Sequence, residues 1–225
     1  MSRYCAAFFD FDGVVVDSEP ERFRTYEQLF KNEFGVDLNP DIYSRKGYPQ
    51  DDNLRYFLKK CGISYDDTLV SFLCERRRSL LEKVYQNELS PICSVLMVME
   101  ALLKEDYPLA IVSNSCENYV RRALSNIGAQ FDGISVFSGE DTGLMKPSPA
   151  LYKKALRDLG LSSGTTLVFE DSRSGLRSAE GANMDVVFVR KNQELYNEFE
   201  PVFILDYSCK QDVIEYELLS LFNKD

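Results

Sequence analysis

Five short runs of β-branched and aromatic residues limit what this chain can fold into. They are YCAAFF (Tyr4–Phe9), LAIVS (Leu109–Ser113), ISVFS (Ile134–Ser138), TLVFE (Thr166–Glu170) and DVVFV (Asp185–Val189), with VFIL (Val202–Leu205) as a candidate sixth. Such uninterrupted apolar runs read as strands buried on both faces. Helical patterns lie between the later ones: ENYVRRALSNIG closing on Gly128, SPALYKKALRDLG closing on Gly160, and SRSGLRSAEGAN after the fourth run. Alternation of strand and helix predicts an α/β chain with a parallel sheet covered by helices.

The first run breaks the rhythm. About a hundred residues separate it from the second, and the interval reads as helices only, because a structureless loop of that length is implausible. PERFRTYEQLFKNEFG has Pro20 at its start and Gly35 at its end, and is followed by DDNLRYFLKKCG and DDTLVSFLCERRRSLLEKVYQNE. The expectation is a helical insert over residues 17–92, with the sheet domain formed by 1–16 and 93–225.

Composition narrows the chemistry. A chain of 225 residues, 44% of them hydrophobic, can bury a full core. Its 26 basic and 36 acidic residues give a net charge of -10 and a pI near 4.7, a field that repels nucleic acid and anionic membranes. The start MSRYCAAFFDFDG does not read as a signal peptide, and no stretch approaches the ~20 apolar residues of a membrane span. Six cysteines without a CxxC pair read as reduced thiols in a cytoplasmic protein. The chain contains no histidine, which removes His-based general bases, Ser-His and Cys-His nucleophiles, and His-ligated zinc. Any catalysis must run on carboxylates, Lys, Arg, hydroxyls or a hard metal.

In an open parallel sheet, ligands sit at the C-terminal strand ends. Those ends carry Asp10 and Asp12, then Ser113 with Asn114, then Glu170 with Asp171, while Lys146 lies in GLMKPSP after the third run. Singly, each acid reads as a turn or capping residue and the lysine as surface. Together they make an oxygen-rich site suited to a hard divalent cation and a phosphoryl group.

DFDGVVVDSEP, VSNS, MKPSP and FEDSRSGLRSAEGAN, in that order, resemble the four motifs of the haloacid dehalogenase superfamily, with a helical cap inserted after the first. The resemblance covers nearly the whole chain and points to the β-phosphoglucomutase-like branch of sugar-phosphate phosphatases and mutases. It implies a Rossmann-like core and a magnesium-dependent phosphatase acting through an aspartyl phosphate on a small phosphorylated metabolite, a sugar or sugar acid. Asp10 would attack phosphorus, and Asp12 would protonate the leaving alcohol and then deprotonate water. Asp10, the Asp12 carbonyl and Asp171 would hold Mg2+, with Glu170 in or beside that shell. Ser113 and Asn114 would bind phosphoryl oxygens, and Lys146 would balance charge. This chemistry needs Asp12 protonated while Asp10 is ionised, and crowding of like charges separates two carboxylate pKa values. Arg22, Arg45 and Lys46, with Tyr48, are the expected substrate contacts from the cap, and a monomer is expected.

The family pattern is not followed everywhere. SPICSVLMVMEALL lacks the Pro-Gly that often opens the segment before the second strand, Ala150 stands where an acid often follows KPxP, and Val14 replaces a more frequent Thr. Three related readings compete. A dehalogenase normally lacks the second aspartate, a phosphonate hydrolase would need Lys46 as a Schiff base, and a silent regulatory protein need not fill every chemical position. Mutases of this branch use a histidine shortly after the first motif to link the acid/base to cap closure. Here DSEPERFR places Arg22 nearby, and arginine cannot switch protonation near neutral pH. Hydrolysis is the expected outcome.

Overall fold

The computed structural model describes residues 3–39, 49–84, 89–190, 198–207 and 218–222. It divides into two compact units, one of residues 1–17 and 90–225 and the other of residues 18–89.

The first unit is built on six strands: β1 (Ala6–Phe9), β2 (Leu109–Ser113), β3 (Ser135–Ser138), β4 (Thr166–Glu170), β5 (Asp185–Arg190) and β6 (Phe203–Asp206). They form one sheet in the order β3-β2-β1-β4-β5-β6, and every neighbouring pair is parallel. The candidate sixth strand is therefore present as the β6 edge. Among the described residues of this unit are the helices α4 (Cys93–Lys104), α5 (Glu117–Ile127), the single turn α6 (Gly139–Thr142), α7 (Ala150–Leu159) and α8 (Arg173–Gly181).

Side-chain alternation along the strands explains the apolar runs. Phe8 is level with Ala110 on one side and Val168 on the other. These three pack with Leu151, Tyr152 and Ala155 of α7 and with Leu176 and Ala179 of α8. The alternate residues Ala7, Phe9, Ile111 and Phe169 are also wholly buried, and the Phe9 and Phe169 rings stack at 4.4 Å. Both faces are covered, so neither set can be polar. Each Val, Leu, Ile or Phe among them contributes about 1.5–3 kcal/mol by burial, which offsets the cost of concentrating charge at one edge of the sheet.

The strand order places that edge. The chain builds outward from β1 through β2 to β3, then returns to the other side of β1 for β4, β5 and β6. The reversal opens a crevice at the C-terminal ends of β1 and β4, where this class of sheet binds ligands. Register fixes what faces it. Phe9 pairs with Phe169, so the next residue of each strand brings Asp10 level with Glu170.

The chain leaves this unit after Asp17 and re-enters at Ser90. The two segments are hydrogen bonded side by side, Asp17 N to Ser90 O at 2.8 Å and Ile92 N to Val15 O at 2.9 Å. The second unit holds α1 (Glu19–Phe34), α2 (Gln50–Lys60) and α3 (Asp67–Val84). Pro20 lies in the first turn of α1 and Gly35 ends it, as their positions in the sequence predict. Phe23, Tyr26 and Phe30 of α1 meet Leu54, Phe57 and Leu58 of α2 and Val70 and Leu73 of α3 in a separate apolar core. Arg77 is buried in this core. It donates to Gln50 Oε1 (2.7 Å) and the Arg22 carbonyl (3.0 Å), with its guanidinium over the Tyr26 ring. Among the described residues, no helix is long and apolar enough to cross a membrane, and the five described cysteines are free thiols.

Candidate active site

Asp10 follows β1 directly, and its N–H donates to Phe169 O at 2.9 Å, so the backbone of β4 holds it at the sheet edge. Its Oδ1 accepts from Lys146 Nζ at 2.6 Å, and the same ammonium donates to Glu170 Oε1 at 2.5 Å. The Lys146 side chain is 3% exposed and that of Glu170 fully buried, whereas Asp10 retains 11%. Of the two acids bound to Lys146, Asp10 is the one an incoming group can reach.

Glu170 is saturated. Oε1 also accepts from Tyr152 Oη (3.0 Å), and Oε2 accepts from Asp171 N (3.1 Å), Ser172 N (3.4 Å) and Ser172 Oγ (3.3 Å). Ser172 in turn caps α8 by accepting from Gly175 N at 3.0 Å. Glu170 thereby joins Lys146, α7 and the start of α8 into one arrangement. Two glycines make room for the acids. A Cβ on Gly175 would lie 1.9 Å from Glu170 Oε1, and one on Gly13 would lie 2.0 Å from Asp171 Oδ2. Gly13 also adopts φ +88°, a conformation that side-chain-bearing residues rarely take.

Asp10, Glu170 and Asp171 present carboxylate oxygens within 4.8 Å of one another, all three buried. Three buried carboxylates facing one buried ammonium leave a surplus of negative charge. The donors are all oxygen, the set that a hard divalent cation prefers. The electrostatics point the same way. Burial, with Glu170 and Asp171 nearby, pushes the Asp10 carboxyl well above its ordinary range, and Lys146 opposes this only in part. Added positive charge beside Asp10 would act in the same sense as Lys146, favouring the ionised carboxylate that the sequence reading expects. Burial acts to lower Lys146, but the carboxylates of Asp10 and Glu170 outweigh it and keep the ammonium protonated. Burial and the adjacent Glu170 carboxylate likewise raise Tyr152, so it stays a neutral donor.

The remaining motif residues divide. Ser113, at the end of β2, is buried and accepts from Ser115 N (3.2 Å). The Asn114 amide grips the Lys146 backbone at both ends, accepting from its N–H (2.8 Å) and donating to its carbonyl (3.2 Å). One Nδ2–H is engaged in this way, and the second donor of the amide is left for the phosphoryl oxygen that the sequence reading assigns to it. The pairing makes Asn114 the tether between the β2 loop and the lysine loop. The Asp12 carboxylate does not join the cluster. Its Oδ2 accepts from Ser115 Oγ (2.5 Å) and its Oδ1 from Tyr119 Oη (2.9 Å). Arg22 lies in the first turn of α1 in the second unit, half-buried, and Arg45, Lys46 and Tyr48 lie outside the described residues. Tyr119, Tyr152 and the hydroxyl of Ser115 were not singled out from sequence. Their acceptors are 107, 18 and 103 residues away in the chain, so no local pattern marks them.

The chain is 29% identical over 192 residues to 6-phosphogluconate phosphatase of Escherichia coli, covering 84% of this chain and 83% of that protein. It is 26% identical over 186 residues to the phosphorylated carbohydrates phosphatase of Thermotoga maritima, covering 81% and 83%. Among solved structures, a predicted phosphoglycolate phosphatase from Haemophilus somnus superposes with a TM-score of 0.79 at 18% identity, covering 92% of this chain and 96% of that one. A β-phosphoglucomutase from Clostridium difficile gives 0.72 at 18%, covering 97% of each. Residues 7–189, a span that takes in every acid of the crevice, match the model of the haloacid dehalogenase-like hydrolases, and the chain belongs to that family.

Proposed function

We propose that the chain is a magnesium-dependent phosphomonoester hydrolase acting on a small phosphorylated metabolite, a sugar phosphate or sugar-acid phosphate. The observation that carries this reading is the reachable Asp10, bonded to Lys146 beside two further buried carboxylates. The names of the relatives support the substrate class: two act on phosphorylated carbohydrates or 6-phosphogluconate. The absence of histidine supports hydrolysis over mutase chemistry.

In this reading Asp10 Oδ bonds to phosphorus as the bond to the ester oxygen breaks. The electron pair stays on that oxygen, which takes the proton of the Asp12 carboxyl and leaves as the alcohol. A water then attacks the aspartyl phosphate, giving a proton back to Asp12 as the Asp10–phosphorus bond breaks and phosphate departs. Asp10, Asp171 and the Asp12 carbonyl would hold the magnesium ion, with Glu170 beside them because both its oxygens are already engaged. The ion would supply the positive charge that keeps Asp10 ionised and draws in a phosphoryl group. Ser113 would donate to a phosphoryl oxygen, Lys146 would offset charge on the opposite side, and Asn114 would hold the lysine loop in place. Arg22, Arg45 and Lys46 are proposed as contacts to the rest of the substrate.

The test is phosphate release from an aryl phosphate and from a panel of sugar and sugar-acid phosphates, with and without magnesium, for the native chain and Asp10→Asn. The amide can neither attack as an anion nor carry a ligand charge, so turnover should fall roughly a hundredfold or more with the fold intact. Retention of more than a small fraction of the native rate in Asp10→Asn would remove the nucleophile assignment. Efficient conversion of β-glucose 1-phosphate to glucose 6-phosphate in the presence of a bisphosphate, with little free phosphate, would favour the mutase instead.

A further inference from the structure

The geometry points to Ser115 and Tyr119 as positioning residues that fix the orientation of the Asp12 carboxylate for its proton transfers. This inference rests on the phosphatase reading and adds to it a pair of residues that act through Asp12. Asp12 sits in the turn after β1, where Val14, Val15 and Val16 all return their N–H groups to the Phe11 carbonyl. That turn fixes the backbone, but a carboxylate can still rotate about its own side-chain bonds. Two donors remove that freedom here, one for each oxygen: Ser115 Oγ at 2.5 Å and Tyr119 Oη at 2.9 Å.

Both donors are themselves held. Ser115 follows β2 and is tied through its N–H to Ser113 Oγ. Tyr119 lies in the first turn of α5 and is 4% exposed, with its ring edge-on to Phe11 at 5.4 Å and 85°. Phe11 stands between Asp10 and Asp12 in the chain, so the ring contact and the hydroxyl contact fix Tyr119 against the same turn. Removing the hydroxyl while keeping the ring should leave the packing and free the carboxylate. A small misplacement of a reacting group is enough to slow a proton transfer severely.

A role in positioning the acid leaves a signature that general structural support does not. When the leaving group is a poor one, such as an alkoxide, its departure depends on the proton from Asp12. A nitrophenolate leaves without it. The experiment measures kcat/KM of the native chain, Tyr119→Phe, Ser115→Ala and Ser115→Thr on a sugar phosphate and on 4-nitrophenyl phosphate, with magnesium present. Tyr119→Phe and Ser115→Ala should each lose about tenfold on the sugar phosphate and less than about twofold on the aryl ester. Ser115→Thr, which keeps the hydroxyl, should recover most of the loss. An equal loss on both substrates, or none on either, would overturn the positioning role while leaving the phosphatase reading in place. If the native chain turned over neither substrate, the phosphatase reading itself would fail, and this inference with it.

Discussion

Lys146 is the residue on which the site's electrostatics turn. Its ammonium is shared between Asp10 and Glu170 in a buried setting, and removing one partner of such a group leaves uncompensated charge. Lys146→Met should therefore destabilise the fold by about 3–5 kcal/mol near neutral pH, measured by denaturant unfolding. The loss should shrink in acid, where the Asp10 carboxyl it faces, raised by burial and neighbouring acids, becomes protonated. Asp171 separates from it cleanly. Asp171→Asn should weaken magnesium affinity while leaving activity partly recoverable at high magnesium, whereas Lys146→Met should not respond to added magnesium. Unchanged metal affinity in the Asp171 variant, with no recovery, would count against its role as a ligand. Gly175 makes a steric claim of the same kind. Gly175→Ala puts a methyl into the Glu170 carboxyl, so the strand end or the first turn of α8 must shift. A cost of about 1–3 kcal/mol, together with weaker magnesium binding, is expected.

Among the elements, α8 depends most on one side chain. Ser172 accepts from Gly175 N and also donates to Glu170 Oε2, so it caps the helix and orients the acid at once. Ser172→Ala should cost about 1 kcal/mol from the lost cap alone, detected as a shift in the denaturant midpoint. Ser172→Asp should restore the cap but not the activity, because it sets a second carboxylate against Glu170. A Ser172→Asp variant with native activity would show that Glu170 tolerates a charge there. The helices of the second unit differ in that they are joined by apolar packing, Phe30 and Phe57 meeting edge-on at 6.1 Å, and by the buried Arg77 bonded to Gln50 and the Arg22 carbonyl. Substitutions there should change stability without altering magnesium affinity.

For the molecule as a whole, the surplus of buried carboxylates makes stability depend on pH and metal. Burial and neighbouring acids raise the Asp10 pKa in the folded chain above its ordinary 3.8, so the native state holds that proton more tightly than the unfolded state does. This contribution is fully present below the ordinary value. It is lost as pH rises through the raised one. Without metal, the native chain should lose stability relative to Asp10→Asn across that window. Magnesium should remove the difference. At a magnesium concentration 100-fold above its dissociation constant, the native fold should gain about 2.7 kcal/mol, and at the same concentration the gain should be smaller in Asp171→Asn. Thermal unfolding of both proteins between acid and neutral pH, with chelator or with magnesium, measures each of these outcomes. A metal-free difference that stays flat with pH would show that Asp10 carries no such burden.

Sequence and structure divide the account along a physical line. Strand interiors buried on both faces must be continuously apolar, so β1, β2, β4 and β5 could be located by composition alone, and the acids that close β1 and β4 stood out against those runs. Pro20 and Gly35 marked α1 because helix ends make local demands on the backbone. What could not be read is whatever depends on groups distant in the chain. That the Asn114 amide also holds the Lys146 backbone depends on two loops that only the fold brings together. The upward push on the Asp10 carboxyl from burial and two neighbouring acids, opposed by Lys146, likewise comes from groups that only the fold brings together. Tyr119 is one aromatic among many in the sequence. Only the packing of α5 beside the β1 turn brings its hydroxyl to Asp12. Periodicity and composition are local and survive in one dimension, whereas the partner of a buried polar group is chosen by the fold.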